Sequence, residues 1–308
     1  IYAKYEVMSL NHGIGFDTAA IELLLPTYAA SLGLSGKICR HWALNPHPTL
    51  IPAIEAGLVE SVCAFGSELG MEDYVASRPD IFFVGPDGSL RSNRALSQVA
   101  GHYACDMFIG STLQIDTAGN SSTVTRERIT GFGGAPNLGA DARGRRHPSP
   151  AWLRAGRESA TGGTPRGRKL VVQMVETFRE HMQPTFREQL DAADLVEKAG
   201  MALPPVMIYG DDVSHIVTEE GIANLLLCRT PEEREQAIRG VAGYTDVGRK
   251  RDSRAVENLR DRGIVTRAED LGIDKREATR DWLAARSIKD LVRISGGLYR
   301  PPARFRNW

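Results

Sequence analysis

The sequence predicts an α/β fold, a largely parallel sheet flanked by helices, with a helical C-terminal extension. Three observations lead there. Over the first 118 residues, short apolar segments bounded by Gly, Pro, Asn or Asp alternate with stretches whose apolar residues recur at helical spacing, the pattern of strand–helix–strand units with right-handed crossovers. No segment repeats. Beyond Thr230 the periodicity becomes almost wholly helical.

Taken in order, the expected strands are Tyr5–Leu10, Ser61–Phe65, Ile81–Val84 and Phe108–Ile115, each short enough and apolar enough for a strand covered on both faces. Between them, Thr18–Leu32 reads as a helix that Pro26 must end or bend. Pro48–Ala56 reads as a second helix, with Thr49 and Pro52 near its start and Gly57 just past its end. Asn93–Tyr103 is a third. Residues 119–168 are rich in Gly, Ser, Thr, Pro and Arg, with Trp152 and Leu153 as exceptions, and read as one long Gly/Arg-rich loop. A loop of that length tends to be functional.

Apolar sequence resumes with a strand at Lys169–Phe178, and residues 204–218 read as strand, turn at Gly210–Asp211 and strand. Val217–Leu225 reads as the end of a strand, a turn and the start of a helix capped by Thr218. Thr230-Pro231-Glu232-Glu233 opens a further helix: a threonine cap, proline in the first turn, then acids against the helix dipole. Helices over 254–262 and 275–293 and an extended tail complete the chain. The expected division is a main domain over 1–253 and a helical extension with an extended tail over 254–308.

Composition narrows the function. The chain has 308 residues, 42% apolar and 25% charged, with 38 basic residues balancing 38 acidic ones. No global field is available to hold a nucleic-acid backbone or an anionic membrane, so neither is an expected partner. Cys39, Cys63, Cys105 and Cys228 are widely separated, which points to neither a zinc site nor a disulfide framework and makes a reducing cytoplasmic compartment the expectation. The longest apolar stretch, Ala19–Leu34, is interrupted by Glu22, Pro26 and Ser31. It is too broken to span a bilayer. The chain begins at Ile1, without methionine and already inside apolar sequence, so we expect a portion of a longer polypeptide.

Three stretches carry candidate chemistry. Gly131-Phe132-Gly133-Gly134-Ala135-Pro136-Asn137-Leu138-Gly139 holds four glycines in nine residues. Its main-chain amides can donate to a phosphate or to the oxyanion of an attacked thioester; a flexible surface turn has the same composition. It matches neither the dinucleotide fingerprint nor a phosphate loop with its lysine. Asn11-His12-Gly13-Ile14-Gly15-Phe16-Asp17 leads from a strand into a helix, where helix amides face a ligand at the sheet edge or where glycine simply allows a tight connection. The third is Val217–Leu225, already described. The seven histidines show no metal-ligand spacing, so no metal site is expected, and no nucleophile elbow is present. The basic run Arg143, Arg145, Arg146 and His147 reads as a solvated loop or as a patch for phosphates or an acidic partner.

In combination these motifs resemble a known family. The order GIGFDTA (13–19), IPAIEAGLVESV (51–62), GFGGAPN (131–137) and VSHIVTEEGIANL (213–225) is similar to the second domain of the acyl-CoA transferase superfamily. TGFGGAPNLGADARGRRHPSPAW (130–152), TPEEREQAIRGVAGYTDVGR (230–249) and the terminal PPARFRNW resemble the α subunits of bacterial malonate decarboxylases. The likeness implies a CoA-transferase-like fold and the C-terminal half of a longer subunit. It also implies an activity: an acyl-carrier protein's thiol is passed from acetate to malonate, so that acetyl-carrier protein and malonate give malonyl-carrier protein and acetate.

By the same resemblance, the chain binds no cofactor covalently and uses the carrier's phosphoribosyl-dephospho-CoA arm, or a CoA thioester. Its partners would be the acyl-carrier-protein subunit, the decarboxylase subunits and the N-terminal half of its own polypeptide. Gly133 and Gly134 would supply oxyanion donors, and Asn120 and Ser122 polar contacts to the substrate carboxylate. Gly13, Gly15, Gly131, Ala135, Asn137 and Glu219 would line the thioester site, with Arg143, Arg145 and Arg146 as the carrier-protein patch.

One departure bears on mechanism. Many relatives place a glutamate nucleophile in a pattern like D-x-x-G-x-x-x-S-E; here Asp116-Thr117-Ala118-Gly119-Asn120-Ser121-Ser122-Thr123-Val124 puts Val124 at that place, with Glu127 three residues further on. The expectation is therefore direct carboxylate attack on the thioester, without a glutamyl intermediate. The competing readings are an ordinary CoA-transferase acting on another carboxylic acid and a non-catalytic docking module for the carrier.

Overall fold

The structure, a computed structural model, describes residues 1–13, 15–66, 70–83, 105–130, 134–141, 149–160, 167–276, 290 and 293. The chain divides into two compact units, one of residues 1–108, 146–154 and 276–308, the other of 109–145 and 155–275.

The first unit opens with a short helix α1 (Tyr2–Tyr5), ended by Glu6 in the left-handed region at φ 58°. Strand β1 (Ser9–His12) follows, then α2 (Phe16–Ser31), β2 (His41–Leu44), a tight turn at Pro48–Leu50 running into α3 (Ile51–Glu55), β3 (Ser61–Ala64), α4 (Glu72–Ser77) and β4 (Met107–Gly110). The strands run in the order β4–β1–β2–β3. Pairing of β1 with β2 (Leu10 opposite Trp42) and of β2 with β3 (Trp42 opposite Val62) is parallel. Leu10, Trp42, Ala43, Leu44, Val62 and Ala64 are all buried, so both faces of this sheet are covered, as the continuous apolar segments imply.

The helix expected over Thr18–Leu32 is present as α2, which continues past Pro26 to Ser31 with Leu23, Leu25 and Ala29 buried on either side of the missing hydrogen bond. Two expectations change here. The strand expected over Tyr5–Leu10 begins only at Ser9, because Tyr5 and Val7 are buried around the α1 turn. Ile81–Val84 contributes a single bridge from Phe82 to Val62, Val84 lying outside the described residues. The expected helix Asn93–Tyr103 also lies outside them, as does 277–289 of the last expected helix.

The second unit starts with β5 (Gln114–Asp116) and β6 (Ser121–Ser122). Phe108–Ile115 is therefore two strands, broken where the Thr112 hydroxyl donates to the Gln114 and Ser122 carbonyls. The 119–168 stretch is not one loop. It carries β6, a helical turn α5 (Ala135–Leu138) and α6 (Pro150–Ser159), whose residues 150–154, completely buried Trp152 among them, belong to the first unit. Then come β7 (Leu170–Met174), β8 (Phe178–Arg179), β9 (Gln183–Pro184), β10 (Phe186–Arg187), α7 (Asp191–Ala199), β11 (His215–Thr218) and β12 (Gly221–Asn224). The unit closes with α8 (Pro231–Val241), α9 (Asp246–Arg249), α10 (Ser253–Asp261) and β13 (Val265–Arg267).

Strand β7 pairs parallel with β11, and β12 and β13 extend this ladder antiparallel. A smaller sheet has the order β10–β5–β6, and β8 and β9 form a hairpin. Only the second half of 204–218 is a strand; the first gives one bridge, Ile208 to Ser121. Val217–Leu225 is a β-hairpin in which Thr218 caps no helix; a single 3-10 turn, Leu225–Leu227, begins at its last residue and is capped by Asn224. The Thr218 hydroxyl donates to the Val241 carbonyl (2.9 Å), and a Cβ on Gly221 would lie 2.1 Å from the Thr266 carbonyl oxygen, so strand β13 claims this position. The helix expected at Thr230 is present, with its hydroxyl accepting from the Glu233 amide at 3.2 Å.

Candidate active site

In the first unit, the β1–α2 turn brings Gly13 and Gly15 to the C-terminal end of a parallel strand, where α/β sheets bind ligands. The Thr18 hydroxyl spans the turn, 2.5 Å from the Gly13 carbonyl and 2.9 Å from that of Gly15. Immediately before it, buried His12 stands edge-on to the Trp42 ring at 4.4 Å and shares a 3.0 Å hydrogen bond with the Tyr2 hydroxyl. Its Nδ1 lies 3.5 Å from the Glu22 carboxylate. Thr49 donates to that carboxylate at 2.5 Å, so its hydroxyl accepts from His47 Nδ1 at 2.6 Å. Burial raises the Tyr2 hydroxyl well above the ordinary tyrosine value.

In the second unit, Asp116 organises the turn that carries Asn120. Its Oδ1 accepts from the Ala118 and Asn120 amides and its Oδ2 from the Asn120 side chain, at 2.9–3.0 Å. Burial nevertheless pushes its carboxyl up. The Asn120 side-chain oxygen Oδ1 accepts from the Gly210 amide at 2.9 Å. A Cβ on Gly210 would come within 2.1 Å of the Ala118 carbonyl oxygen, and Arg234 clamps the same place by donating to the Gly210 and Val213 carbonyls. Burial lowers the Arg234 guanidinium's pKa. Ser122 is fully buried: its hydroxyl donates to the Pro205 carbonyl at 2.7 Å and accepts from the Val124 amide. The polar atoms of both expected substrate contacts are thus engaged within the protein.

The glycine-rich stretch is pinned on both sides. Before it, the Thr130 amide donates to Thr123. After it, a Cβ on Gly139 would lie 2.4 Å from Ile208 Cδ1, and buried Asp141 pairs with Arg168 at 3.0 Å. Gly134 precedes α5, in which Ala135 and Asn137 lie. Gly131 and Gly133 fall outside the described residues, as do Arg143, Arg145 and Arg146. Val124 is buried; Glu127 is exposed on a turn closed by the Thr125 amide donating to the Arg128 carbonyl. Glu219 lies in the β11–β12 turn and accepts from the Thr177 amide at 3.1 Å.

The sequence reading missed the Arg234 clamp and the Tyr2–His12–Glu22–Thr49–His47 chain. Glu22, an acid inside an apolar stretch, was the signal for the chain; for Arg234 the local sequence offers none. Among the described residues, no group of three His, Cys, Asp or Glu side chains could hold a metal, and no helix is long and apolar enough to cross a membrane.

Comparison with known proteins supplies the family. The family described as malonate decarboxylase, alpha subunit, transporter matches residues 1–308. A curated protein of Malonomonas rubra, acetyl-S-ACP:malonate ACP transferase, is 64% identical over 313 residues, covering 100% of this chain and 56% of the relative. The solved malonate decarboxylase α subunit from Acinetobacter baumannii is 60% identical with a TM-score of 0.86, covering 98% of this chain and 56% of that one. A Pseudomonas malonate decarboxylase hetero-tetramer solved in complex with malonate contains a chain 61% identical, with a TM-score of 0.85, covering 100% of this chain and 56% of that one. This chain therefore spans little more than half the length of the relatives it matches.

Proposed function

We propose, from the premise that this chain belongs to the malonate decarboxylase α-subunit family, that it forms part of an enzyme passing an acyl-carrier-protein thiol from acetate to malonate. The observation that carries this reading is the 64% identity to a transferase of that activity along the whole chain. A malonate carboxylate attacks the acetyl thioester carbonyl, the tetrahedral oxyanion collapses, and the thiolate leaves a mixed acetic–malonic anhydride. The same thiolate then attacks the malonyl carbonyl and expels acetate.

Amides of Gly133 and Gly134 steady the oxyanion, the term on which acyl transfer depends most, and Gly131 lines the thioester site. Ala135 and Asn137 shape that turn. Gly13 and Gly15 allow the thioester to approach the end of β1. Asn120 and Ser122 act by positioning the 116–124 segment, because their polar atoms are engaged with Asp116, Gly210, Pro205 and Val124. Glu219 likewise positions Thr177. Arg143, Arg145 and Arg146 meet the acidic carrier, which brings the phosphoribosyl-dephospho-CoA arm with it. The remainder of the polypeptide and the decarboxylase subunits complete the assembly in the cytoplasm.

The test is turnover of the full-length protein with malonate and acetyl-carrier protein against the same assay with acetyl-CoA. Formation of malonyl-carrier protein is the expected result. Equal use of acetyl-CoA and other acids would replace this reading by an ordinary CoA-transferase, and salt-sensitive carrier binding without turnover by a docking module.

A further inference from the structure

We infer that Arg128, Arg179 and Arg187 form a binding site for a compact dianion presenting carboxylate or phosphate oxygens. Arg179 ends β8, and the root of its hairpin is tied to the next strand by the Thr185 amide donating to the Thr177 carbonyl at 3.0 Å. Arg187 ends that strand, β10, opposite Asp116 of β5. Arg128 sits on the 125–128 turn, which rests on the start of α7 through the Arg126 amide and the Asp191 carboxylate at 3.2 Å. Arg128 and Arg187, each from a separate segment, thus lie near enough for their charges to act on Arg179.

Two nearby acids of α7 are already engaged. Arg126 pairs with both Asp191 and Asp194, and Asp191 also accepts from the Gln114 side chain at 2.7 Å. Among the described residues, no ion pair or hydrogen bond reaches the guanidinium of Arg128, Arg179 or Arg187, and the Nε atoms of Arg179 and Arg187 are buried without a partner. Burial, then the neighbouring charges of Arg128 and Arg187, disfavours the charged form of Arg179, only partly offset by Glu127 and Asp191. Arginine does not deprotonate near neutral pH, so these charges persist and repel.

An anion resolves that repulsion. The planar guanidinium pairs in bidentate fashion with carboxylate or phosphate, and several of them suit a doubly charged ligand better than a single charge. A loop folded for shape alone gains nothing from half-burying unpaired arginines in one place. The site stands whether or not the chain transfers acyl groups.

Calorimetric titration of the full-length protein with malonate, inorganic phosphate, pyrophosphate and acetate tests it. At least one dianion should bind saturably, with acetate at least tenfold weaker; which dianion prevails identifies the source as a dicarboxylate or a phosphate. Arg179→Gln with Arg187→Gln should weaken that binding by roughly tenfold or more, the worth of a charge-assisted hydrogen bond. The exposed Arg128→Gln alone should weaken it several-fold, and this variant serves if the double one fails to fold. Without ligand, Arg187→Gln should raise Tm by relieving repulsion. Absence of saturable dianion binding, or binding that none of these substitutions weakens, overturns the site.

Discussion

Both oxygens of the Glu219 carboxylate lie 3.1 Å from the Thr177 amide nitrogen, and the Thr177 hydroxyl donates to Oε1 of the same group. The β11–β12 turn is thereby fastened to the segment that leads into β8 and the arginine hairpin. Glu219 is exposed while Thr177 is buried, so the bond is made in partly solvated surroundings.

That relationship predicts a modest stability effect from Glu219→Ala, about 0.5–1.5 kcal/mol in urea unfolding, the usual net worth of such a bond near solvent. Glu219→Gln keeps an acceptor and should lose less. Unchanged stability in the alanine variant, together with a rise in KM for malonate, would return Glu219 to the substrate-binding role the sequence suggested.

Gly210 predicts a larger effect. A Cβ there would lie 2.1 Å from the Ala118 carbonyl oxygen, and backbone cannot rotate out of the way. Gly210→Ala should destabilise by about 1–3 kcal/mol, as overpacking does, and loosen the Asn120 turn. Gly200→Ala is the comparison: nothing lies within 4 Å of its Cβ, and only its φ of 60° is strained. If the two variants melt alike, the close approach at Gly210 has no energetic consequence.

How far the sequence was legible follows from where each signal lies. The Thr230 cap of α8 and the Gly13–Gly15 turn were readable because cap, proline and glycine act over a few residues. Thr218-Glu219-Glu220-Gly221 fits a capped helix and a two-residue hairpin turn equally well. What decides between them is Thr266, whose carbonyl crowds Gly221 from a distant strand. Tyr5–Leu10 failed for a related reason: a short apolar run does not distinguish a buried helical turn from a strand. Arg234, Arg179 and Arg187 gave no warning at all, since the groups around them come from remote parts of the chain.

Covalent catalysis by this chain is predicted to be absent. Val124, which the resemblance sets at the place expected for a nucleophilic glutamate, is buried and forms a bridge with Ile129. Glu127 faces solvent on the adjoining turn, without the enclosed surroundings that protect a thioester from water. Hydroxylamine or borohydride trapping during turnover of the full-length protein, followed by peptide mass mapping, should leave Glu127 unmodified. A labelled Glu127 peptide would establish the two-step glutamyl route instead.

Asp270 predicts an acid-labile corner. Its carboxylate accepts from Arg260 on α10 and from the Arg267 amide of β13, at 2.9 Å in each case. The Arg260 contact, then the amide, lowers its pKa from the ordinary 3.8 to about 2. Because the folded value lies below the unfolded one, its stabilisation is complete above the unfolded value and is lost as pH falls through the folded one. The wild type should therefore lose stability relative to Asp270→Asn between about pH 3.8 and about pH 2, and the two should run parallel at higher pH. Tm against pH measures the difference, and amide exchange in Val265–Arg267 locates it. Curves that stay parallel through that acid range would mean that the exposed pair is too well screened to matter.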